Sequence, residues 1–501
     1  MAEEDFTSQS LMLEVPESNY LGVPDLSPSC SSWSDNYVYA TDSTTGSLSP
    51  YPQPSNLEAR EENQVSNVLS SQDLELLSHY ITHTSRVIPY DQEDLYALHV
   101  GIPNLAFSNK PLMASILALS AACKSYGIVQ QSPEPLERLD ELHELLSLAD
   151  KHHRTSLHQI QGAIRDKEEQ YDPVLANAAL MVLYGSSSHC VRVLLTQMAT
   201  RRGIALDDEL LPTQSQWITL IRAAHTAYTG LLNGPSEQFD DVFASPGSGA
   251  SASITFETPS SSVDNVYFPE DGPSEGTKRF LFPIVSATYG PAVDKLIARA
   301  QVLETRTTST AESSHASSCF ASLDILQDIY STVFLGKETT VDAESPFFYL
   351  GRLQSVSPWL RSYLGRVTSS TSPTPSKPLR RTIMAFLNRV PLEYLHLVQS
   401  MLDRIPVAGH VNCMDWDVSM SAATPTQQLA IDIFAHWLIL VMLLDGVWWI
   451  GGIGEWELGR VLSFADAQGW GIELTEPGER WWPESMYNVK KELAEHVGRP
   501  L

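Results

Sequence analysis

The sequence predicts an all-α protein: a multi-helix domain with a disordered acidic tail and Ser/Pro-rich loop insertions. Three observations predict it. Apolar residues recur at three- and four-residue spacing along most of the chain. Capping residues and first-turn prolines stand where those runs begin, and no stretch alternates apolar and polar residues as a half-buried strand would.

Taken in order, residues 1–66 carry 11 acids, a single base (Arg60) and many Ser, Thr and Pro, with no periodicity; they read as a disordered tail. Within it, "YLGVPDL" and "SSWSDNYVYA" set aromatics in acidic surroundings, a composition suited to transient partner binding. Residues 67–233 read as a first helical half. Leu74, Leu77, Ile81 and Thr84 define the face of an opening helix. A second spans 110–124, with Pro111 in its first turn, Gly127 just past its end and Leu112, Ile116, Leu119 and Cys123 inward. A third runs from about 136 to 165. Asp172-Pro173 opens a helix over 173–184, Gly203 closes another, and Thr213 caps one over 214–232. The Ser/Gly-rich stretch 234–277 reads as a disordered insertion. Residues 278–501 read as a second helical half: helical signals resume near Pro291 and continue to about 305, "CFASLDILQDIYSTVFLG" forms another helix, and Pro391 starts a third. Thr424-Pro425-Thr426-Gln427 makes a capping box for the most apolar helix in the chain.

Composition narrows the function. Of 501 residues 43% are hydrophobic, enough for a large core, while 60 acids against 32 bases give a net charge of −28. Such a surface repels phosphate backbones, so direct nucleic-acid contact is disfavoured. The five cysteines stand far apart, the nearest pair being Cys123 and Cys190, so there is neither a local zinc framework nor a disulfide scaffold. The acidic start "MAEEDFTSQS" has no apolar core and is not a secretory signal. Residues 433–453 have the length of a membrane span, but His436 and Asp445 interrupt them, so they read as a buried core helix and no membrane span is expected.

Six segments, in order, resemble one family. "LELLSHYITHT" and "IPNLAFSNKPLMASILALSA" are followed by "ADKHHRTSLHQIQGAI", "ANAALMVLYGSS" and "QWITLIRAAHTAY". "IFAHWLILVMLLDGVWWIGGIG" with "ERWWPESM" completes the set. Together they resemble the helical regulatory domain of fungal zinc-cluster transcription factors, nearest the branch of sterol uptake regulators and drivers of secondary-metabolite gene clusters. The resemblance implies an all-α regulatory domain, a nuclear location and control of transcription. It also implies, in sterol-sensing members, an apolar ligand. No position matches the six cysteines that bind zinc in the family's DNA-binding module, so zinc is expected only where such a cluster precedes these residues. The chain therefore reads as a regulator lacking the zinc cluster. It would reach DNA indirectly, through the transcription machinery or a related full-length regulator.

Candidate sites are few. Trp437, Met442, Leu444, Trp448 and Trp449, beside a Gly-rich turn, could wall an apolar pocket for a flat lipophilic molecule, or simply fill the core. Glu75, His79 and His83 share one helix face at metal-ligand spacing but lack a fourth ligand, so polar packing is the expected role. "KPLRR" at 377–381 is a weak import signal. No nucleophile elbow or phosphate-binding loop is present, so no catalytic residue is expected. A lipophilic-ligand-binding or sequestering module of the same fold is the alternative function.

Overall fold

The computed structural model describes residues 69–165, 171–232, 272–306, 310–336, 356–368, 379–405, 407, 423–470 and 480–497. The acidic tail and most of the 234–277 insertion lie outside them. Among the described residues the secondary structure is entirely helical.

Helix α1 (Ser71–His79) continues through a π-turn (Tyr80–Thr84) into α2 (Ser85–Val87), and α3 (Gln92–Tyr96) runs through a second π-turn into α4 (Ile102–Ala106). Then come α5 (Lys110–Gln131), α6 (Leu139–Arg165), α7 (Tyr171–Arg202) and α8 (Gln216–Leu232). The later set is α9 (Phe282–Arg306), α10 (Thr310–Leu335), α11 (Pro358–Thr368), α12 (Leu379–Arg389) and α13 (Leu392–Leu402). It ends with α14 (Pro425–Met442), α15 (Ile453–Ala467) and α16 (Trp482–Val497).

Two buried helices organise the packing. α5 lies against α1, α6 and α7; α14 is surrounded by α9, α10, α12, α13, α15 and α16. Every residue from Leu429 to Met442 is buried, as expected of a helix that is apolar on all sides. The α7–α15 and α8–α12 contacts join the two sets into one continuous core. α5 and α7 are long and apolar enough to cross a membrane, but 83% and 89% of their apolar windows are buried inside this fold.

Several local expectations need correction. Leu74 is 53% exposed; the inward face is Leu76, Leu77, Tyr80 and Thr84, since Leu74 sits in the first turn of α1 on the side away from α5 while Leu76 and Tyr80, one turn apart, are sealed. Gly127 lies inside α5, which runs on to Gln131. Residues 171–202 form one helix rather than two. Packing against α5 and α8 carries the helix through its polar middle, where the buried hydroxyls of Ser186 and Ser187 are satisfied by Val182 O and Tyr184 O. Asp172 instead accepts the backbone N–H of Ser357 at 3.0 Å, fixing the start of α11. Pro291 lies inside α9 rather than at its start. The backbone bond it cannot make falls on an exposed face, since Ala287 and Pro291 both meet solvent. Thr213 caps no helix; its hydroxyl lies 3.3 Å from His189 Nδ1.

The capping box at Thr424 forms as expected: Gln427 N donates to Thr424 Oγ1 at 3.2 Å and Thr424 N to Gln427 Oε1 at 3.0 Å. Ser70 and Asp73 form a second one at the start of α1. α14 and α15 cross so closely that a Cβ on Gly454 would stand 2.6 Å from Met442 N and 2.9 Å from Val441 C. Only glycine fits there.

Candidate functional site

The polar groups sealed around α14 are the most unusual feature of this core. A charge costs several kcal/mol to bury unless it is paired, so each one marks a designed contact. Asp432 is 1% exposed. Its carboxylate accepts Arg299 Nη2 at 2.5 Å from α9 and the Trp481 indole N–H at 2.9 Å from the start of α16. His436, one turn on, places Nδ1 2.8 Å from Asp432 O and 3.2 Å from Asp432 Oδ1. Burial alone would raise the Asp432 pKa, but Arg299, His436 and Trp481 outweigh it and hold the carboxyl below its usual range. Trp482 stacks on His436 and donates to Thr288 Oγ1 at 3.0 Å. The "WWP" segment is thus an anchor.

A second network joins the two helical sets. His189 of α7 lies 3.2 Å from Glu457 of α15, whose other oxygen accepts Arg460 Nη1 at 2.7 Å. Arg460 also donates to the carbonyls of Leu402 and Ile405, closing the end of α13. His189 stacks on Trp217, which stacks in turn on Trp437. Burial lowers the His189 pKa against the opposing pull of Glu457, so the imidazole is neutral at pH 7. A His–carboxylate pair suggests acid–base chemistry, yet both side chains are sealed, at 1% and 0% exposed. No substrate reaches them.

The third network pins the end of the long insertion. Asp445 Oδ1 accepts Ser274 N at 2.7 Å, and Oδ2 accepts Ser274 Oγ, Thr277 Oγ1 and Lys490 Nζ. Gly446 N donates to Gly272 O at 3.0 Å. Burial opposes ionisation of Asp445, but Lys490 and the hydroxyl and amide donors prevail and lower its pKa. Residues 272–277 are thereby fixed to the turn after α14.

The five residues marked for an apolar pocket do not converge. Trp437 is buried, donates to Ile383 O at 2.9 Å and stacks on Phe386. Met442 and Leu444 are also buried in the core. Trp448 packs on Tyr126 and, edge-on, against Trp449. Trp449 lines a cleft of about 90 Å³ between α7, α8 and α12. Sequence reasoning missed the other cleft residues and the partners of the buried charges, Arg299, Glu457 and Arg460. The available signal was an Asp and a His inside the apolar run "LAIDIFAHWLILVM", which demand partners elsewhere in the chain.

The remaining candidates are occupied by packing. Glu75 pairs with Lys124, while His79 Nδ1 lies 3.1 Å from Thr84 Oγ1 and 3.2 Å from Ser120 Oγ. Among the described residues no group of His, Cys, Asp and Glu is arranged to hold a metal. The Arg380-Arg381 pair of "KPLRR" is folded inward. Arg380 donates to Ile88 O at 2.9 Å and lies over the Trp449 ring, and Arg381 bonds Asp94 at 2.5 Å. In this fold the pair cannot present itself to an import receptor.

Comparison with known proteins adds one result. Residues 75–200, about a quarter of the chain, match the family model of the fungal specific transcription factor domain. The matched stretch covers α5, α6 and most of α7, the helices that carried the resemblance in the first half, and it supports that family. No curated protein and no solved structure matches the chain.

Proposed function

We propose that this chain is a transcriptional regulator of the fungal type, acting in the nucleus as a non-enzymatic helical domain. The family match over residues 75–200 carries the reading. It is supported by the continuous core that joins the matched helices to α14 and α15, and by sealed His and acid groups that no substrate can reach. With a net charge of −28 and no long basic run, the chain works on DNA through protein partners: the transcription machinery or a related regulator that carries the zinc cluster. Its targets are a secondary-metabolite gene cluster or lipid-responsive genes. The test is to fuse the full chain to a heterologous DNA-binding module upstream of a reporter. A change in reporter output that Glu457→Leu abolishes supports the reading; output equal to the module alone opposes it.

A ligand-binding role outside transcription is the second reading, and the cleft beside Trp449 favours it. At about 90 Å³ the cleft is well below the roughly 300 Å³ at which drug-sized molecules are usually held, so a sterol-sized ligand requires it to widen. Stoichiometric retention of a lipophilic molecule with unchanged transcripts would support this role.

A further inference from the structure

The cleft has a chemistry of its own. Its walls are mainly apolar, formed by Val182 from α7, Ile221 from α8, Met384 from α12, and Trp449 with Ile450 from the turn after α14, with Ser186 and Asn388 as the neutral polar groups. Into this apolar space α12 contributes two consecutive guanidinium groups, Arg380 and Arg381. Arg380 lies over the Trp449 ring, its Cζ 4.6 Å from the ring centroid, and donates to Ile88 O. Arg381 pairs with Asp94 through one hydrogen of Nη2; the second hydrogen of that nitrogen, with its neighbour Nε or Nη1, makes the other two-donor edge of the fork, which can take a second acceptor. Its side chain is 14% exposed, so it is reachable from outside while largely screened from water.

We propose that this cleft binds a short aliphatic monocarboxylate. The carboxylate takes the open edge of the Arg381 fork beside Arg380, and the alkyl chain lies between Met384, Ile221 and Trp449. Three features select this class. A guanidinium edge recognises the planar carboxylate through two parallel hydrogen bonds, which a chloride or an alcohol cannot accept. Partial burial strengthens each charge-assisted bond relative to the same bond in water. The space equals roughly three water volumes, which admits a chain of a few carbons and excludes a long acyl chain.

This inference does not depend on a role in transcription, because binding is read on the protein itself. The full chain is labelled with ¹³C-methyl methionine, and sodium butanoate is titrated while the Met384 methyl resonance, assigned with Met384→Leu, is followed. The expected result is a saturable shift in the millimolar range, absent with sodium chloride and much smaller with butan-1-ol. Arg381→Lys, which keeps the charge facing Asp94 but loses the fork, should weaken binding about tenfold, the factor expected from one lost charge-assisted bond. Ala385→Leu, which fills the cleft and leaves both arginines in place, should abolish the shift. No saturable shift, an equal response to chloride, or unchanged affinity in both variants would overturn the assignment. If both variants unfold, the titration of the unsubstituted chain with the three probes still decides it.

Discussion

The indole N–H of Trp481 donates to the Asp432 carboxylate at 2.9 Å, so the start of the last helix is fastened to the middle of the most buried one. The same carboxylate receives Arg299, so a single side chain ties α9, α14 and α16 together. Removing it leaves Arg299 and the indole without their acceptor. Asp432→Ala should cost about 3–5 kcal/mol, the range for breaking a buried charge pair, whereas Trp481→Phe should cost about 1–3 kcal/mol for one lost bond to a carboxylate oxygen that keeps His436 beside it. Urea denaturation of both variants measures this. Equal, small losses would show that the network contributes little.

Stability should fall as the medium is acidified from neutrality, well before the carboxylates titrate. Burial lowers the pKa of His79 and of His153 to about 4 from the ordinary value near 6.5. For a group with a depressed folded pKa, the unfolded chain binds the proton first. The contribution is therefore complete above about pH 6.5 and lost progressively as pH falls toward about 4. Asp432 and Asp445, whose pKa values are also depressed, add a further loss at lower pH. The urea midpoint at pH 5 should lie below that at pH 7.5, and His153→Phe should flatten the difference. An unchanged midpoint across this window would contradict the burial of both imidazoles.

Gly454 sets the distance between α14 and α15. Gly454→Ala would drive a methyl into the backbone of Met442 and Val441, and rigid backbone cannot yield as a side-chain tip does. The variant should lose about 1–3 kcal/mol or more. Its expected sign is opposite to that of Gly127→Ala in α5, where nothing lies within reach of an added Cβ and the better helix former should stabilise by about 1 kcal/mol. Thermal melts of the pair test the contrast directly.

The legible part of the fold was the part set by local rules. The all-α class, the Thr424 capping box and the inward residues of α5 follow from spacing and caps, and each stands as expected. The misreadings share a cause. Pro291 and Gly127 read locally as helix boundaries, yet each lies within a helix whose packing outweighs its propensity. In α1 the adjacent Leu74, Leu76 and Leu77 allow more than one inward face, and the packing against α5 that selects Leu76 and Leu77 is not visible in local spacing. Among site residues, Trp449 was legible as an aromatic beside a glycine turn. Arg380 and Arg381 were visible only as a basic run, because their partners Ile88 and Asp94 lie nearly three hundred positions away.

The central claim is that this helical domain regulates transcription through partners. Its most direct test is chromatin immunoprecipitation of the full chain, paired with transcript profiling after its removal from the cells that make it. The account predicts occupancy at promoters whose transcripts change, with occupancy lost when the partner regulator is removed. Absence from chromatin together with an unchanged transcript profile would contradict it.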